Sequence, residues 1–177
     1  RPAGKQKPKR QSSLKKWFFQ GGSASLILGP IMAEPMKIVH VMRRFVPEKW
    51  GGTECVVFHV SRELITEGHE CRIHCTAMLS EPGCDTMQAI PVSRHRFVFP
   101  WLGLSRQAKE AMCLKGGSPL SLPLFFALLR EKHVSIIHTH VQHRLGGMAR
   151  TAARLKRIPY VVSLHGDCYT LPPAQVE

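Results

Sequence analysis

The chain has 177 residues, 44% of them hydrophobic and 21% charged, and a formal net charge of +13. That length gives one domain a real core but is too short for two domains with a cleft between them. The longest apolar stretch, around Leu120 to Leu129, is about half a membrane span and contains Pro123, so no transmembrane helix is expected.

Charge is concentrated at the start. Residues 1–35 carry seven Lys or Arg against the single acid Glu34, while the remaining chain carries eighteen bases against eleven acids. Arg1 to Lys16 is rich in Lys, Arg, Pro and Gln and too polar to build a core, so 1–35 reads as a basic disordered extension. A weakly apolar run follows at Ser23 to Gly29, but Gln20-Gly21-Gly22-Ser23 separates it from the charged start, and no cleavage site of signal-peptide type follows. Met32 and Met36 both stand where ordered sequence begins. A basic surface suits phosphate-bearing partners: a nucleotide's pyrophosphate, anionic lipid head groups or nucleic acid. The six cysteines (Cys55, Cys71, Cys75, Cys84, Cys113 and Cys168) contain no C-x-x-C pair, so neither a zinc knuckle nor a disulfide framework is signalled. A reducing cytoplasm is the expected home.

Folded sequence starts at Met36. Met36 to Met42 (MKIVHVM) is a short continuous apolar run, as a strand buried on both faces requires. A polar loop with Pro47 and Gly51-Gly52 leads into helical spacing from Thr53, with Val56, Val57, Val60 and Leu64 on one face. Thr53 is the expected N-cap, and Gly68 is placed to end the helix. Cys71 to Thr76 reads as a second strand. Farther on, Met87 to Val92 and His95 to Phe99 are expected as short strands, and Gly103 to Gly117 as a loop with a helical piece. Ser118 to Lys132 has the length and composition of a helix, with Pro123 tolerable only in its first turn. Val134 to His138 reads as a strand, Gly146 to Arg157 as a basic helix, and Tyr160 to Leu164 as a last strand ending in His165-Gly166-Asp167. Strands alternating with helices predict an α/β domain with a Rossmann-like, doubly wound parallel sheet over 36–177.

In such sheets ligands bind outside the carboxyl ends of the strands. Three segments fall there: Lys49 to Glu54, His138-Thr139-His140, and His165-Gly166-Asp167. Gly51-Gly52 before a helix allows backbone amides to approach an anion, although a plain tight turn needs the same two residues. Neither a G-x-G-x-x-G fingerprint nor a P-loop is present. His138, His140 and His143 invite a metal reading. With no Cys or carboxylate near them, and with His138 and His140 sharing a side only if the strand continues, no metal is expected. His165 ends an apolar strand, which would set its ring in the cleft.

Together these segments resemble the N-terminal domain of family 4 glycosyltransferases of the GT-B type. The matching stretches are Met36 to Met42, Gly51-Gly52-Thr53-Glu54, Leu64-x-x-x-Gly68-His69-Glu70, Ile136-Ile137-His138-Thr139-His140, and Pro159 to Gly166, in that order. Lys49-x-Gly51-Gly52 is also similar to the donor-contacting loop of starch and glycogen synthases. Ser135 stands near the place where the family often has Asp. The resemblance implies two facing Rossmann-like domains, the N-terminal one for the acceptor and the C-terminal one for a nucleotide-sugar donor. It implies transfer with retention and without an essential metal or other cofactor. By motif position the catalytic contact falls on His165, and substrate binding on Gly51, Gly52, Thr53, His140 and Gly166. Under this reading the chain is an N-terminal half, incomplete at its C-terminal end and inactive alone, with cell-envelope polysaccharide synthesis as its expected setting. Its partners would be a sugar or lipid acceptor, the donor-binding domain and, peripherally, an anionic membrane. A non-catalytic α/β binding module and a basic nucleic-acid-binding protein are the alternatives; the second has charge in its favour but no recognition motif and few aromatics to stack bases.

Overall fold

The computed structural model describes residues 34–165, apart from 101, 104 and 116. The expected basic extension up to residue 33, together with Gly166, Asp167 and Cys168, lies outside the described residues. Six strands form one sheet: β1 (Lys37–Met42), β2 (Glu70–Thr76), β3 (Gly83–Met87), β4 (Ile90–His95), β5 (Ile136–Thr139) and β6 (Tyr160–Val162). Their spatial order is β3-β4-β2-β1-β5-β6, and every pair is parallel except the β3–β4 hairpin at one edge. The helices are α1 (Gly52–Thr66), α2 (Arg106–Lys115), α3 (Leu122–Arg130) and α4 (His143–Lys156). This is the Rossmann-like α/β architecture expected from the alternation of elements.

Apolar residues of the central strand supply both faces of the core. Val39 and Val41 point to one side, where they pack with Leu124 and Leu128 of α3 and Leu145, Ala149, Ala152 and Ala153 of α4. Met42 points to the other, joining Val57 and Phe58 of α1, Ile73 and Cys75 of β2, and Ile90 and Val92 of β4. Residues alternate across a strand, so a β1 buried on both sides must be apolar almost throughout.

Four expectations about these elements are corrected. Met87 to Val92 is not one strand but straddles a hairpin, since Met87 pairs with Ile90 and Gln88-Ala89 form the turn. Both turn residues have positive φ, 43° and 69°, the backbone of a two-residue turn usually marked by Asn-Gly or Gly-Gly. The strand expected over His95 to Phe99 shrinks to the end of β4 and one isolated bridge, Val98 to Leu120. Helix α3 starts at Leu122, four residues later than expected. Ser121 accepts a hydrogen bond from Leu124 N at 3.2 Å, and Pro123 falls in the first turn. Thr53 is not a cap either: Gly51 holds the N-cap position of α1.

Helix α3 is tied to the sheet by Glu131, its C-cap residue. The Glu131 carboxylate lies 3.1 Å from Lys37 Nζ, 3.3 Å from Arg72 Nη1 and 3.2 Å from His74 Nε2. The hydrogen bond from His74, aided by Lys37 and Arg72 against the cost of burial, lowers its pKa from 4.5 to about 2. Because the folded pKa lies below the ordinary one, this stabilisation is complete above about pH 5 and is lost as pH falls from there toward 2. The full shift is worth about 3 kcal/mol, which screening in this part-exposed cluster reduces to about 1–2 kcal/mol. Glu131→Gln is therefore expected to lose that amount at pH 7, and denaturant titrations of the variant should show a flatter stability profile between pH 5 and 2. A parallel acid profile in variant and parent would remove Glu131 as the titrating group.

Candidate functional site

The winding of the sheet reverses at β1: β2 and β4 lie to one side of it, β5 and β6 to the other. A sheet that reverses in this way leaves a crevice at the carboxyl ends of the two flanking strands, here β1 and β5. A cavity of about 190 Å³ opens there, lined by Gly51, Gly52, Thr53, Glu54 and His140 together with Met42, Arg43, Arg44 and Val141. Gly51, Gly52, Thr53 and His140, which the sequence placed at separate strand ends, thus meet in one recess.

The glycine pair works differently from a bare anion cradle. Gly51 N donates to Glu54 Oε2 at 3.0 Å, which is the carboxylate half of a capping box; a glycine has no side chain to supply the other half. The opposite oxygen, Glu54 Oε1, accepts from Arg44 Nε at 3.2 Å, with both side chains largely buried. Neither Gly52 N nor Thr53 N has a partner among the described residues, as is usual for the first turn of a helix, and both residues line the recess. The space beside Gly52 is open, with nothing within 4 Å of where a Cβ would stand.

The histidines come together more closely than spacing alone indicated. His140 N donates to Val41 O at 2.9 Å, extending the ladder past the end of β5, so His138 and His140 do share a face. Their ring centroids are 4.1 Å apart. His165 stands next to them, its Nε2 2.9 Å from His140 Nδ1. The ring itself is exposed, whereas His140 is buried. On the inner side, His140 Nε2 lies 3.1 Å from His40 Nδ1, and His138 Nε2 lies 2.7 Å from Ser163 Oγ. Burial is the main reason His40, His138 and His140 resist protonation. It lowers the pKa of His140 to about 2, with His138, His40 and His165 adding repulsion, and that of His40 to about 3, with a further push from His138. His138 is shifted down by the same two causes, burial and then His165.

The third ring grouped with His138 and His140 is therefore His40, not His143, which stands exposed at the start of α4. Ser135 meanwhile accepts from Lys37 N at 3.1 Å, joining the start of β5 to β1.

A family model described as glycosyl transferase 4-like domain matches residues 51–176, which include the recess-lining glycines and all the site histidines except His40. The chain belongs to the glycosyl transferase 4-like family. A comparison with curated proteins gives no match. Sequence reasoning missed three residues of the recess and its histidine cluster: Arg43, Arg44 and His40. The arginines carried no motif. His40 did leave a signal, as the lone ionisable residue between Ile38 and Met42 in a strand that must be apolar on both faces.

The loop after β5 depends on a close backbone contact. A Cβ on Gly146 would stand 2.5 Å from Val141 O, whereas one on Gly147 would meet nothing within 4 Å. Adjacent glycines in one helix should thus respond in opposite directions to alanine. Gly147→Ala is expected to gain about 0.5–1 kcal/mol from helix propensity. Gly146→Ala is expected to lose about 1–3 kcal/mol by forcing Val141 away. Thermal melts of the two variants check this; a gain for both would show that the β5–α4 loop yields freely.

Proposed function

We propose that this domain is the acceptor-side half of a retaining glycosyltransferase, moving a sugar from a nucleotide-sugar donor to a glycan, lipid or small-molecule acceptor. The observation that carries the reading is the shared recess, in which Gly51, Gly52, Thr53 and His140 meet two arginines within a glycosyl transferase 4-like chain. As the bond to the donor diphosphate breaks, negative charge grows on the leaving oxygen. The amides of Gly52 and Thr53 at the positive end of α1 are fixed donors for that charge, and Arg43 adds a cation beside them. Arg44 answers the charge of Glu54, so the carboxylate does not repel the leaving group unopposed. These groups supply the stabilisation without a metal or other cofactor.

His165 is assigned to the donor sugar. Its ring is exposed at the rim, and its Nε2 rests on His140, which leaves Nδ1 for a sugar hydroxyl. The donor's nucleotide would lie on a second Rossmann-like domain facing this one, as the family resemblance implies. Acceptor and donor then meet over the strand ends, with the protein acting in the cytoplasm or at the inner face of an anionic membrane.

Two measurements test the proposal. The 177-residue chain alone should transfer no sugar from common nucleotide sugars, while a protein joining it to a donor-binding domain should. In that protein His165→Ala is expected to lower kcat about a hundredfold and to change the donor KM much less, since the contact serves the transition state. Unchanged kcat in a folded variant would remove His165 from the chemistry.

A further inference from the structure

Two of the clustered histidines, His40 and His138, have no task in sugar transfer. Their placement is nonetheless fixed by the register of the sheet. Strands β1 and β5 pair in parallel with His40 opposite His138, so both rings project from the same face, and His140 joins them through the extended ladder. One ring nitrogen from each of His40, His138 and His140 lies within 4.8 Å of the others.

The spacing is that of a metal site partly closed. With zinc–nitrogen bonds of about 2.0–2.1 Å, tetrahedral ligand atoms stand about 3.3 Å apart. His40 Nδ1 and His140 Nε2, at 3.1 Å, already meet that spacing. His138 is half-buried, and its ligand nitrogen lies within 4.8 Å of the other two. The surroundings have the form that supports metal-bound imidazoles, in which the second ring nitrogen is held by a neighbour. His138 Nε2 is held by Ser163 Oγ, and His140 Nδ1 by His165 Nε2. His40 is the exception, since with Nδ1 turned to His140 its second nitrogen, Nε2, is buried without a partner.

We propose that His40, His138 and His140 form a binding site for a divalent transition-metal ion, zinc foremost. Three imidazoles and no carboxylate favour zinc, cobalt, nickel or copper over magnesium or calcium, which take oxygen ligands. Three protein ligands leave a fourth position for water or another ligand. The site does not rest on the transfer reading, and transfer does not require it.

Zinc titration of the chelator-stripped 177-residue chain, followed by calorimetry, tests the site, with cobalt absorption to identify the ligands. One ion per chain should bind, and the cobalt complex should show nitrogen ligation without thiolate bands, although Cys55 and Cys84 are exposed. His138→Gln, at a half-exposed ring that the fold can spare, and His140→Gln should each weaken zinc about a hundredfold, and Ser163→Ala about tenfold. His95→Gln, in the separate His74–His95 pair, should leave affinity unchanged. Circular dichroism confirms folding in each case. Thiolate bands, binding indifferent to both His138→Gln and His140→Gln, or no uptake by the folded parent at micromolar zinc would overturn the proposal. Because binding is the readout, such a failure leaves sugar transfer untouched.

Discussion

The parallel pairing of β1 with β5 governs this structure. It places His40 against His138, carries the ladder on to His140, and makes the winding reverse where the two strands part. Every candidate functional group lies at or above that seam. Had β5 paired one residue out of register, His138 and His140 would have turned toward α3 and α4, into the space filled by Val39, Val41 and Ile137. Apolar burial on that side is what holds the histidines on this one.

The two faces of the seam divide the polar work. On the α3–α4 face, ionic contacts gather on Glu131 and brace a helix end against β1 and β2, a structural use of charge. On the α1 face, the polar groups are neutral rings and the start of a helix, with Arg44 and Glu54 paired beside them. Charge therefore stabilises where the domain is closed, and hydrogen-bonding capacity collects where it opens.

Much of this was readable from the sequence. The apolar run at Met36 to Met42, the helical spacing after Gly52 and the strand-end histidines gave the fold class and most of the recess, because periodicity and strand ends are local properties. What escaped was either unmarked or long-range. Gln88-Ala89 turns a hairpin without any of the residues that advertise positive φ. Arg43 and Arg44 follow β1 in a loop whose direction depends on packing against α1. His40 and His138 are 98 residues apart in the chain, and only the strand register makes them neighbours. The capping role of Glu54 was missed for a local reason, since Thr53 looked like the better cap and the glycine before it has no side chain to suggest one.

The contacts His40–His140 and His140–His165 have a consequence beyond positioning. Each joins two imidazole nitrogens, so each contact can hold a single proton, on either side. Because His140 belongs to both contacts and carries one proton in total, it donates outward to His165 and accepts from His40, or donates inward and accepts from outside. The three tautomers are thereby locked to one another, and the row has two polarities. A molecule that offers His165 a donor favours one polarity; a molecule that offers an acceptor favours the other. The buried His40 would record in the position of its own proton what is bound at the rim.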